Sequence, residues 1–208
     1  YINTEPTSAT FLFGGTQMGH TYRNSKSVGG KFDLTSQVST NHEIKTGFSF
    51  RNDNLVERNL TVLFDQNFDE PSVLSENKSP YHIFYDKDAV QYSAYIQDKM
   101  EYSSMIMNLG IRYDAFVPND STIANLLYPE ADQKEAKTKT MISPRIGVSL
   151  PITDKGIFHF SYGHFYQMPT LRNLYKTSIF GANRSPTLGY ANLEPEKTVQ
   201  YEFGLQQQ

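Results

Sequence analysis

The chain has 208 residues, a formal net charge of -3, a pI near 6.0 and no cysteine. Those figures exclude a disulfide framework and a thiolate metal site, and they give no reason to expect nucleic acid or another polyanion as a partner. No stretch approaches the ~20 consecutive apolar residues of a membrane helix, which leaves membrane-crossing strands open. Residues before Lys26 read as loop, with Gly14, Gly15 and Gly19 set among Thr, Ser and Asn and room for a short strand at Phe11–Phe13. The first strand is predicted over 26–39, where Phe32, Leu34 and Val38 alternate with Lys31, Asp33, Thr35 and Gln37. After a tight turn at Thr40-Asn41-His42, the second opens at Glu43 and runs towards Phe64, with Ile44, Phe48 and Phe50 against Lys45, Gly47, Ser49 and Arg51. A polar connection over 65–87 follows. The third strand, 88–101, sets Val90, Tyr92, Ala94, Ile96 and Met100 against Gln91, Ser93, Gln97 and Lys99. Asp98 falls on its apolar face, close to the turn.

The short turn at Ser103-Ser104 leads to the fourth strand, 105–117, whose Met105, Met107, Leu109, Ile111 and Tyr113 oppose Asn108, Gly110, Arg112 and Asp114. Residues 118–137 read as a polar connection. The fifth strand, 138–151, ends in a turn at Thr153-Asp154-Lys155-Gly156, where Asp and Gly tolerate turn geometry. The sixth, 156–168, places Phe158, Phe160, Tyr162, His164 and Tyr166 on one face and His159, Ser161 and Gly163 on the other. A connection over 169–195 precedes a last strand from Glu196, where Val199, Tyr201, Phe203 and Leu205 oppose Thr198, Gln200, Glu202 and Gly204.

Successive side chains on a strand point to opposite faces, so each segment has one apolar, aromatic-rich side and one polar side. Connections alternate short, long, short, long. Structureless loops of this length count against a soluble meander. They are the rule in outer-membrane barrels, where short periplasmic turns alternate with long outer loops. A bilayer offers backbone groups no water, so the strands there must pair fully and the sheet must close. The expected fold is therefore all-β: an antiparallel up-and-down transmembrane β-barrel, present in part as about seven strands of a larger barrel. The 14 Tyr and 14 Phe, without Trp, suit interface girdles and equally suit a carbohydrate-binding surface.

Specific motifs extend this reading. Phe158-His159-Phe160-Ser161-Tyr162-Gly163-His164-Phe165-Tyr166-Gln167-Met168-Pro169 resembles a recurrent strand of TonB-dependent outer-membrane receptors. Asn192-Leu193-Glu194-Pro195-Glu196-Lys197-Thr198-Val199-Gln200-Tyr201-Glu202-Phe203-Gly204 resembles the family signature in which a loop descends into a strand. Ser93–Asp98, Asn108–Asp114 and Ile142–Gly147 add to it. Together they are similar to the Oar-like branch, frequent in Bacteroidetes-type bacteria, whose members carry a carboxypeptidase-regulatory-like module ahead of plug and barrel. The motifs cover 88–208, and residues 1–87 fit in pattern only. The resemblance implies a barrel of about 22 strands. It further implies residence in the bacterial outer membrane, in contact with lipid, and uptake of an unknown ligand with TonB-coupled energy. Residues 1–208 are read as one partial barrel domain, without plug, TonB box, N-terminal module or terminal strand. The plug of the full-length chain, and TonB acting through it, would be partners.

Candidate binding residues follow from position. Arg112 and Asp114, with Arg145 and Glu202, fall on predicted lumen faces. They serve either as substrate or plug contacts, or as a charge ladder that solvates the inner wall. Tyr81, Phe84 and Tyr85 end one long loop, and Tyr175, Phe180 and Tyr190 punctuate another, with Arg172 and Arg184 nearby. They suit an outer ligand vestibule, or packing of loop on loop. Asp65, Asn67 and Asp69 have calcium-loop spacing, but Glu70 stands where the loop needs Gly, so an EF-hand is not expected and an irregular calcium site in this outer loop is the alternative left open. His20, His42, His82, His159 and His164 lack metal-ligand spacing, and no nucleophile elbow or phosphate loop occurs. Neither an enzyme, a metal site nor a cofactor is expected. The competing readings are a soluble all-β glycan-binding domain, whose apolar faces would form a buried core, and an outer-membrane enzyme barrel, for which no nucleophile–base pair can be assembled.

Overall fold

The computed structural model describes residues 18–62, 82–123, 133–175 and 189–207. In chain order the elements are β1 (Met18–Ser39), β2 (His42–Val62), β3 (His82–Tyr102), β4 (Met105–Val117), β5 (Ser121–Ile123), β6 (Gln133–Glu135), β7 (Lys139–Thr153), β8 (Gly156–Gln167), α1 (Leu171–Tyr175) and β9 (Glu196–Gln207). Seven of them form one sheet in the order β1-β2-β3-β4-β7-β8-β9, every neighbouring pair antiparallel. β5 and β6 pair separately. Among the described residues no helix is long and apolar enough to cross a membrane.

The register explains the alternation. Phe32 stands opposite Phe48, Phe48 opposite Ala94, Ala94 opposite Tyr113, and Tyr113 opposite Ile142. A second row runs Leu109, Ile146, Tyr162, Tyr201. Cross-strand rings meet along these rows, Tyr162 with Tyr201 and Phe160 with Phe203 at 5.1 Å, which is favourable aromatic spacing. No second sheet covers this face among the described residues: Phe32 is 62% exposed, and Phe203 and Leu205 are each 69% exposed. In water each such side chain forgoes roughly 1.5–3 kcal/mol of burial. A face built this way suits an apolar surrounding such as a bilayer.

Four sequence expectations need correction. Residues 18–25 are strand, paired with 55–62, where loop was expected. β3 likewise begins at His82, six residues before the expected start, and pairs with β2 from there. These strands of 21 and 22 residues outrun the 9–11 that a bilayer needs. Beyond the lipid band the outer face no longer has to be apolar, so the ladder continues without apolar periodicity. The 118–137 connection contains the β5–β6 ladder, and the 169–195 connection contains α1. The two-residue turns at 40–41, 103–104 and 154–155 all lie at the opposite end from the long connections.

Candidate functional site

The inner face is polar and layered. Near the short turns, Tyr95 donates to Asp33 at 2.8 Å and Lys31 pairs with Asp33 at 2.7 Å. That bond crosses directly over Gly47, which stands between Asp33 and Tyr95 in the register. His42 and Asp98 pair at 2.7 Å, giving the carboxylate on the apolar face a partner beside the turn.

The middle layer holds the lumen-facing residues read from sequence. Arg112 grips Asp114 within one strand, its Nε and a terminal nitrogen bonding the carboxylate at 2.7–3.0 Å. The pair two residues apart is thus a same-strand clasp rather than a rung between strands. Arg51 pairs with Asp53 at 2.9 Å, and Ser27 donates to the same buried carboxylate at 2.6 Å. Arg145 lies over the Phe165 ring, 4.9 Å from its centroid. Among the described residues Glu202 accepts a long 3.5 Å bond from Ser161, and it shares with Arg145 a hollow of about 270 Å³. A larger cavity of about 540 Å³ is lined by Arg51, Arg112, Asp114, Arg145 and Phe165, among others.

At the end nearest the long connections the inner face turns apolar. Tyr85, Ala89, Phe116, Met141, Leu174 and Tyr175 form a buried cluster, with α1 laid against the sheet. Leu171 and Leu193 pack on its margin. Glu57, 2% exposed, anchors the helix. It accepts from Tyr85 at 2.7 Å and pairs with Arg23 at 3.1 Å and Arg172 at 3.5 Å. The Tyr175 hydroxyl donates to the carbonyl oxygen of Pro118. The chain after α1 is tied down as well: Lys139 pairs with Glu194 at 2.8 Å, and Asn192 accepts from the Lys137 amide at 2.8 Å.

Of the outer-loop residues named from sequence, the structure brings Tyr85, Arg172 and Tyr175 together in this cluster. Phe84 stands on the outward face beneath Arg58, 5.1 Å from its guanidinium. Tyr190 is 41% exposed, and its amide donates to Asn173. Tyr81, Phe180 and Arg184, like Asp65, Asn67 and Asp69, lie outside the described residues. Sequence reasoning missed Glu57, Asp53 and Phe116. Carrying the odd-numbered inner face of β2 past Arg51 would have found the first two.

Burial pushes the Tyr175 phenol above its ordinary 10.0, and the carboxylates of Asp120 and Asp88 push the same way. A raised folded value favours the docked helix fully below the unfolded pKa, and the contribution falls as pH climbs above it. Amide exchange around α1 should therefore be unchanged from pH 6 to 9 once intrinsic rates are removed, and α1 should loosen above pH about 10. Equal protection at pH 11 and pH 8 would contradict the burial of this hydroxyl.

Residues 1–208 match, over their whole length, the family described as TonB dependent receptor-like, beta-barrel. The chain belongs to the TonB-dependent receptor β-barrel family. Two solved structures are similar to it. One is titled copper transporter OprC, with a TM-score of 0.61 and 19% identity, over 90% of this chain and 28% of that one. The other is the ferric citrate transporter FecA in its unliganded form, with a TM-score of 0.55 and 16% identity, over 93% of this chain and 27% of that one. The chain thus spans little more than a quarter of either transporter. A search among curated proteins finds no match. The seven strands are wall segments of such a barrel; in barrels of this kind short turns face the periplasm and long loops the outside.

Proposed function

We propose that this chain is a portion of an outer-membrane receptor that takes up a ligand with energy delivered by TonB through a plug domain of the same full-length protein. The observation that carries this reading is the two-sided sheet: an uncovered apolar face for lipid, and behind it a charged wall with hollows of about 540 and 270 Å³. The outer connections, including Arg172, Tyr190 and their neighbours, form the ligand vestibule. In it Tyr85 and Tyr175 act by holding α1 in place. The inner residues Arg112, Asp114, Arg145 and Glu202 line the path and face the plug. No residue makes or breaks a covalent bond.

Two measurements test the reading. The full-length receptor should bind the purified periplasmic domain of TonB, and absence of binding at any ligand load would remove the coupling. Deleting residues 169–192 should abolish binding of the imported ligand while the barrel keeps its heat-modifiable migration in gels. Copper ions and ferric citrate, the cargoes in the titles of the two structural neighbours, are the first probes. A probe that binds the intact receptor and binds the deleted form equally well would exclude the vestibule.

A further inference from the structure

Arg145 differs from the other arginines of the inner cavity in what it touches. Arg51 and Arg112 are each satisfied by a carboxylate on their own strand. No carboxylate pairs with Arg145 among the described residues, and its guanidinium instead lies over Phe165 at 4.9 Å. The row around it is stripped of side chains: its partners across the ladder are Gly110 on β4 and Gly163 on β8. Gly163 makes the seat of the ring, since a Cβ there would come within 3.0 Å of the Phe165 edge.

The chemistry follows from the shape of the group. Stacking on a ring uses the flat face of a guanidinium, while all five N–H donors point outward in its plane. A contact with the Phe165 ring therefore holds the guanidinium without consuming its donors. The hollows of about 540 and 270 Å³ both have Arg145 and Phe165 in their walls, so the fork borders open space on either side. A planar anion that accepts two parallel N–H bonds is the complementary ligand. Asp114 and Glu202 in the same walls favour a single added negative charge over several.

We propose that Arg145, held over Phe165, is the seat for a carboxylate entering the lumen. The carboxylate belongs either to an acidic side chain of a domain of the full-length protein lying against this wall, or to a dissolved ligand. The proposal rests on reading the charged face as a lumen wall and goes beyond it by naming the group received and the residue that receives it.

The test uses the full-length receptor in detergent, with R145K and, as a control in the same row two strands away, Q97K. Each variant is treated with a water-soluble carbodiimide in the presence of propionate, and the peptide carrying the altered position is read by mass spectrometry. Carbodiimide activates a carboxylate that then joins an amine with no spacer, so a seated carboxylate reports itself as an excess yield over the control position rather than as reaction alone. An amide from position 145 to an acidic residue other than Asp114 and Glu202 of the same walls, about fivefold or more above the control, is expected if the protein supplies the group. A propionyl adduct in the same excess is expected if the group is dissolved. Equal, low yields at both positions would overturn the proposal. Phenylglyoxal on the unaltered protein gives an independent measure: Arg145 should react more slowly than Arg58, which also stacks on a phenyl ring, and equal rates would overturn the proposal too. The underlying lumen reading is checked separately with I142C. A hydrophilic maleimide should not reach that outward position in micelles, and if it does, the barrel reading fails whatever happens at position 145.

Discussion

Replacing Phe116 by alanine should free α1 from the inner wall. A five-residue helix has no stability of its own, because nucleation costs more than one or two turns return. It holds only by what it buries, and Phe116, 1% exposed, is the sheet residue at the centre of that contact with Leu174 and Tyr175. Removing a buried phenyl ring costs about 3–5 kcal/mol where the site cannot collapse. That exceeds what the partly exposed Arg172–Glu57 pair returns alone, at about 1 kcal/mol or less. The readout is hydrogen exchange at two amides, Asn173 bonded to Thr170 and Tyr190 bonded to Asn173. Both should lose protection while the β3–β4 ladder keeps its own. Unchanged exchange at Asn173 would show that the helix is held by something other than this cluster.

Gly47→Val should produce the second large effect, at the other end of the wall. A Cβ at Gly47 would lie 2.5 Å from Asp33 Oδ1, 2.5 Å from Tyr95 Cε1 and 2.9 Å from the Phe32 carbonyl oxygen. Side chains can swing aside, but the carbonyl belongs to the β1–β2 ladder and cannot. Overpacking of this kind costs about 1–3 kcal/mol. Displacing Tyr95 and Asp33 forfeits their hydrogen bond as well, at about 1 kcal/mol. The temperature at which the folded gel band converts to the unfolded one should fall clearly. Gly30→Val is the matched control, because nothing lies within 4 Å of a Cβ there. Equal behaviour of the two variants would show that the Gly47 crossing is not tight.

The lipid-crossing part of the fold was legible in the sequence because the bilayer imposes a period of two. The fourth strand is observed at 105–117 as predicted, and the turns at 40–41, 103–104 and 154–155 fall where expected. Legibility ends where lipid ends. Arg23 and Glu57 sit on strand that rises past the apolar band, where the apolar contrast fades and their inward position follows only from carrying the parity of Arg51 onward. Their neighbours Tyr22 and Val56 carry no contrast strong enough to set the parity. The Arg112–Asp114 clasp was half visible: two residues apart on one strand forces a shared face, but only coordinates show that they bind each other. Arg145 was legible as inner, whereas its ring platform depends on Phe165 bending over Gly163, which alternation cannot foretell. The Asn192-Leu193-Glu194 motif was recognisable by resemblance alone. Its physical work is to fasten the returning chain, through Asn192 to Lys137 and Glu194 to Lys139.

The fold-back of α1 has a geometric consequence for the wall itself. A helix with its side chains is about 10 Å across. Laid against one sector of the sheet, it makes the inner surface uneven: shouldered above Phe116, and hollow around Arg51, Arg112 and Arg145.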